Sequence, residues 1–229
     1  MKIETDKKII AEKTARAYLD TGAVRFMTDK PFIFTSGWAS PVYNDSRWLI
    51  SFPAVRSMLM DFLVASADRD IGRGKIDAVA GGETAGIPFA AWVAERMNLP
   101  MQYVRKKPKG FGRGSQIEGQ LIPGQRVLLV EDLATDGRSK VNFVNALRDG
   151  GATVEHCFVL FFYGIYPQSQ KIMSDIGITL HALTTWWDVL AVAKASGKFD
   201  AKTLADVEAF MRDPAGWSKA HGGASEAGE

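Results

Sequence analysis

Apolar residues recur at helical spacing early in the chain. Over Thr5 to Leu19, Ile9, Ile10, Ala15, Tyr18 and Leu19 share one face and predict a helix. Phe32 to Tyr43 alternates aromatic residues with Thr, Ser, Gly and Pro, a pattern of short strands and turns. Pro53 sits well at the first turn of a second helix running to about Ala67. From Ile76 onward, short apolar runs alternate with longer helical stretches. Ile76 to Ala80 predicts a buried strand ending in Gly81-Gly82, followed by a helix from about Gly86 to Met97. Met101 to Val104 and Arg126 to Val130 predict further strands, then a helix from Arg138 to Arg148 that ends at Gly150-Gly151. Thr153 to Tyr163 is a fourth strand and Thr179 to Leu183 a candidate fifth. Apolar strands alternating with helices predict an α/β fold whose mostly parallel sheet is covered on both faces.

Trp186 to Met211 reads as two more helices, with Asp200 placed to cap the second. The Trp186-Trp187 pair reads as helix core or interface. Beyond Pro214 the chain offers little to bury, so residues 214–229 are expected to be a disordered tail. With no repeat and no linker, the expected organisation is one domain over residues 1–213. It comprises an N-terminal elaboration (about 1–70), a core (about 71–185) and C-terminal helices (about 186–213).

Composition narrows the function classes. A chain of 229 residues, 46% hydrophobic, can bury a substantial core. A net charge of +2 is too mild to argue for nucleic acid as the main partner. The single cysteine, Cys157, excludes an intrachain disulfide, fits a reducing compartment and reads as a small core residue. His156, His181 and His221 lie far apart in sequence without HExxH or CxxC spacing, so no dedicated zinc site is expected. The first residues are charged and no apolar stretch follows them. The longest apolar run, Cys157 to Tyr163, is far short of the ~18 residues a membrane helix needs. These features predict a soluble, cytoplasmic protein with no membrane or nucleic-acid partner.

The chemistry concentrates between Val127 and Ser139. A buried strand leads into Glu131-Asp132-Leu133-Ala134, and the turn Thr135-Asp136-Gly137-Arg138-Ser139 opens a helix. In an open parallel sheet, ligands bind at the carboxyl ends of strands. The turn can aim backbone N–H groups at an anion, the helix N-terminus favours negative charge, and Thr135 and Ser139 add hydroxyl donors. Gly137 permits a close backbone approach. Together these build a phosphate cradle, and Glu131 and Asp132 are acceptors suited to the two hydroxyls of a ribose. A second feature runs from Val104 to Gly114, with five basic residues between Arg105 and Arg113 and no acid among them. Its glycines and proline oppose regular structure, so it is expected to be a mobile basic lid that neutralises pyrophosphate and excludes water.

The Val127–Ser139 segment resembles the binding signature for phosphoribosyl pyrophosphate (PRPP) of the type I phosphoribosyltransferases. The resemblance implies that Glu131 and Asp132 hold the ribose hydroxyls and that the Thr135–Ser139 turn holds the 5′-phosphate. Arg105-Lys106-Lys107-Pro108-Lys109, followed by glycines and Ile117-Glu118-Gly119, is similar to the catalytic loop of orotate phosphoribosyltransferases. That places Arg105, Lys106 and Lys109 at pyrophosphate, with Lys109, Arg105 and Asp132 as the catalytic residues. Phe34 to Tyr43 resembles the same family's segment near the base pocket, and Ala80 to Pro88 its pyrophosphate-side loop. Thr35, Tyr43 and Thr135 are then the expected orotate contacts.

The resemblance further implies magnesium carried by PRPP rather than by a protein cage, and a homodimer in which each lid closes over its partner's site. The implied fold is that of the type I phosphoribosyltransferases, with an N-terminal hood. The chain departs from the family pattern at Thr35 (often Lys), Thr84-Ala85 (often Tyr-Lys), Phe111 (often His) and Glu131 (usually Asp), and no arginine follows the fourth strand near Phe162 to Pro167. The alternatives to orotate transfer are transfer to uracil or a purine, and a PRPP-sensing regulator that binds RNA.

Overall fold

Helix α1 (Lys7–Asp20) starts where Asp6 accepts a hydrogen bond from the Ile9 amide at 2.9 Å. The computed structural model describes residues 4–27, 30–109 and 116–225. After α1 come four short strands, β1 (Val24–Phe26), β2 (Phe32–Ile33), β3 (Ala39–Ser40) and β4 (Val42–Asn44). They form two small antiparallel pairs, β1 with β4 and β2 with β3. A 3-10 turn over Ser46–Ser51 leads into α2 (Pro53–Asp70), which has proline in its first turn as expected.

The remaining elements alternate. They are β5 (Ala78–Gly82), α3 (Gly86–Met97), β6 (Met101–Val104), β7 (Ile117–Glu118), β8 (Arg126–Ala134), α4 (Arg138–Asp149), β9 (Thr153–Phe162), α5 (Gln168–Asp175) and β10 (Thr179–Thr185). The chain closes with α6 (Trp186–Ser196), α7 (Ala201–Arg212) and α8 (Pro214–Ala220). The main sheet has six strands in the order β10-β9-β8-β5-β6-β7, parallel except for β7.

Strand order explains where a ligand can sit. From β5 the chain proceeds outward to β6, then returns to β5's other side for β8, β9 and β10. The order therefore reverses between β5 and β8, and a crevice opens at such a switch point beyond the strand ends.

The apolar runs face two ways. Leu128 and Val130 of β8 join the larger core with α1, α2, α3 and α6, whereas Val127 and Leu129 join a second core with α4 and α5. Period-two alternation between two buried layers explains why these strands read as continuous apolar runs. Cys157 is fully buried in the second core. Trp186 is buried, as expected of helix core, whereas Trp187 is partly exposed, reaches the Gly164 carbonyl at 3.3 Å and lies under the Arg212 guanidinium.

Two expectations change, and one unexpected pairing appears. Residues 214–220 are not disordered: they form α8, capped by Asp213, because Trp217 finds burial against Phe210 and a hydrogen bond to Asp206. Strand β8 runs past Val130 to Ala134, since β9 continues its ladder alongside as far as the Ala134–Phe162 pair. His156 and His181, distant in sequence, meet across β9 and β10 with ring nitrogens 3.2 Å apart. Burial pushes His181 down to about 4, so it is neutral at neutral pH. Among the described residues, no helix is long and apolar enough to cross a membrane.

Candidate active site

The extension of β8 puts Glu131 and Asp132 on the strand itself, so the pleat sends their side chains to opposite faces. Glu131 follows Val127 and Leu129 toward the α4 face. There its Oε2 accepts from Lys140 Nζ at 3.1 Å, and Lys140 also reaches Ser139 Oγ at 3.1 Å. Glu131 Oε1 is buried without a hydrogen-bond partner, against Gly82 and Gly86, where a methyl group would collide with it. Glycine at these two places is what lets the longer acid fit. Asp132 faces the other way, toward Tyr18 and the Arg47 guanidinium of the 3-10 turn.

Burial dominates the electrostatics of both acids. It pushes Glu131 up to about 7 despite the Lys140 ammonium, and Asp132 adds a like charge. Burial also raises Asp132, again opposed chiefly by Lys140. The two carboxylates and Lys140 act as one coupled cluster.

Two cavities meet the β8–α4 turn. The larger, about 670 Å³, is lined by Glu131, Asp132, Leu133 and Ser139. Arg47, Glu83, Lys106, Lys140 and Asn142 give it further charge and hydrogen-bonding capacity. The smaller, about 390 Å³, takes Thr135, Asp136 and Arg138 from the turn and Phe34, Thr35, Ser36 and Trp38 from the hairpin. Tyr163, Tyr166 and Gln168 complete it. Burial raises both tyrosines, Tyr166 to about 12, so they stay protonated donors. One cavity is distinguished by its charged side chains, the other by its aromatic ones, and the turn serves both. Gly137 precedes α4 with a φ of +86°, a left-handed conformation suited to glycine. Asp136 accepts from the Arg138 amide at 3.1 Å and pairs with its guanidinium at 3.3 Å.

The base of the basic loop is ordered by its backbone. The Lys106 amide donates to Glu83 Oε2 at 2.8 Å, and its carbonyl accepts from Asn142 at 3.1 Å. This aims Lys106 into the larger cleft. Arg105 and Lys109 line neither cavity. Lys109 Nζ lies 2.6 Å from Glu118 Oε1, and Arg105 Nη1 lies 3.6 Å from the same atom. Gly110, Phe111, Gly112, Arg113 and Gly114 lie outside the described residues. Ala134 is buried in the second core, and Tyr43 packs on Phe32 at 4.7 Å and lines neither cavity.

Sequence reasoning missed several lining residues. Lys140 directly follows the motif and could have been flagged by position, but a helical lysine is ordinarily solvated. Trp38 lay inside a segment already singled out. Glu83 likewise lay within the Ala80–Pro88 segment, whereas Arg47, Tyr163 and Tyr166 carried no local signal, because folding alone brings them to the turn.

Comparison with known proteins fits this geometry. A phosphoribosyl transferase domain model matches residues 56–181. The orotate phosphoribosyltransferase of Roseobacter denitrificans is 56% identical over 216 residues, covering 94% of this chain and 96% of that protein. The crystal structure of orotate phosphoribosyltransferase from Aeropyrum pernix is 31% identical, with a TM-score of 0.67 over 79% of this chain and 99% of that one. Leishmania donovani UMP synthase is 28% identical with a TM-score of 0.73, covering 88% of this chain and 42% of that longer one.

Proposed function

Because this chain belongs to the orotate phosphoribosyltransferases, within the phosphoribosyl transferase domain family, we propose that it transfers the phosphoribosyl group of PRPP to orotate. The products are orotidine 5′-monophosphate and pyrophosphate, a step of pyrimidine synthesis. The observation that carries this reading is the β8–α4 turn, which joins a charged cleft to an aromatic pocket at the sheet's switch point.

In the proposed arrangement the turn Thr135 to Ser139 receives the 5′-phosphate on its amides and hydroxyls. Glu131 and Asp132 accept from the ribose hydroxyls. Lys106 faces the pyrophosphate from the larger cleft, and Arg105 and Lys109 join it when the loop leaves Glu118. The orotate ring enters the smaller pocket beside Thr35 and Thr135, with Phe34, Trp38 and Tyr166 available for stacking. A ring nitrogen of orotate attacks C1′ as the bond to pyrophosphate breaks, and its proton passes to water or to the departing pyrophosphate. Orotate presents a nitrogen that needs little help from a protein base. Catalysis then rests on positioning and on cations where leaving-group charge grows.

Magnesium fits as an ion that arrives on the substrate. Among the described residues no three acidic, histidine or cysteine side chains gather as a ligand set, so PRPP oxygens and water would supply its shell. When bound it contributes neutralisation of pyrophosphate charge.

The test is pyrophosphate release from PRPP and magnesium, with orotate, uracil, hypoxanthine and adenine offered separately. Release with orotate alone is expected. Release with another base would move the function to that base. PRPP binding without release, together with a salt-dependent RNA shift, would favour the regulator instead.

A further inference from the structure

The aromatic pocket owes one wall, Phe34 to Trp38, to the β2–β3 hairpin. That hairpin has only two ladder pairs, Phe32 with Ser40 and Ile33 with Ala39. It closes through Phe34 N–H to the Trp38 carbonyl at 2.9 Å and Gly37 N–H to the Phe34 carbonyl at 2.8 Å. So short a ladder does not hold its own shape in water.

The end of the chain supplies the missing support. Trp217 is anchored by its Nε1–H to Asp206 at 2.8 Å and packs edge-on against Phe210. This fixes Ser218, which is fully buried. The Ser218 hydroxyl accepts from the Ala39 amide at 2.9 Å and donates to the Ala224 carbonyl at 2.5 Å. The Ala224 amide in turn donates to the Gly37 carbonyl at 2.8 Å. These three bonds close a clasp on the residues either side of Trp38. Gly223 passes so near the hairpin that a methyl group there would collide with the Ala39 amide and Ser218 Oγ.

We infer that residues 214–225, with Ser218 as the positioning residue, hold the base-contacting hairpin and thereby set affinity for orotate. The inference rests on reading the aromatic pocket as the base site. It predicts selectivity, because none of the described residues lining the charged cleft comes from the hairpin. Loss of the clasp should weaken orotate and spare PRPP.

The experiment compares wild type, S218A and a chain ending at Asp213. Steady-state KM is measured for each substrate, and amide hydrogen exchange is followed over residues 32–40. In S218A the Ala39 amide loses a buried acceptor, so its exchange should quicken and the KM for orotate should rise about tenfold. The KM for PRPP and kcat should stay within about twofold. The shortened chain should show the same selectivity more strongly; if it does not fold, S218A decides alone. Unchanged orotate KM in S218A, or an equal rise in both KM values, overturns the clasp while leaving orotate transfer intact. Wild-type protein that does not use orotate removes the functional reading, and this inference with it.

Discussion

At the residue scale the most consequential feature is the charge cluster of Glu131, Asp132 and Lys140. Burying two carboxylates beside one ammonium leaves Glu131 raised to about 7, above its usual 4.5, so the folded protein holds a proton that the unfolded chain releases. The stability Glu131 contributes is therefore fully present below about pH 4.5 and is lost as pH rises toward 7. In ligand-free protein, E131Q removes this dependence. Its melting temperature, compared with wild type, should improve steadily between those two pH values and run parallel outside them. A constant offset would reflect only Lys140 left without its partner. Melting curves that stay parallel throughout would mean that Glu131 does not titrate in this window. The acids and the turn were legible in the sequence because their chemistry lies in consecutive residues. Lys140 was not, since burial of an amphipathic helix's lysine depends on the glycine-lined space opposite. Tyr43, an expected orotate contact, packs on Phe32 and lines neither cavity.

At the element scale, β6 and β7 form the root of the basic loop, and Glu118 on β7 holds Lys109 and Arg105 away from the clefts. If Lys109 acts on the leaving group, it must exchange Glu118 for pyrophosphate. K109A should lower kcat by about 10²- to 10³-fold, the scale of one lost transition-state donor, with the fold intact by circular dichroism. E118Q frees Lys109 and should lower the KM for PRPP by no more than about fivefold, as befits an exposed pair. Unchanged turnover in K109A would take Lys109 out of the mechanism. The strongly periodic elements, α3, α4, β6 and β9, were readable because each has an apolar pattern dictated by the layer it faces. Helices α5 and α8 were not. Both are short; α5 is largely polar, and α8 is mostly small residues with a single large apolar one, Trp217, whose burial depends on α7. Local pattern does not carry that information.

At the scale of the whole molecule, the switch point between β5 and β8 gathers most of the site's parts within one chain, but the loop cations Arg105 and Lys109 lie outside both cavities. We propose that the homodimer implied by the family resemblance gives Lys109 a destination, with each loop reaching the partner's cleft. The proposal has a stoichiometric consequence. K109A and D132N should each be nearly inactive alone, one lacking the loop cation and the other the ribose acid. Unfolded together and refolded at equal concentration, they should form hybrids as about half of the dimers. In a hybrid, the site that keeps Asp132 belongs to the K109A subunit and receives an intact Lys109 from its partner. The other site lacks both residues. One working site in half the dimers restores about one quarter of wild-type activity. A loop that acts within its own subunit leaves every site in the mixture with one defect, and no activity returns. Sedimentation of the mixture at assay concentration supplies the control. Dimers without recovery would place Lys109 in its own subunit's site, and monomers throughout would remove the shared site altogether.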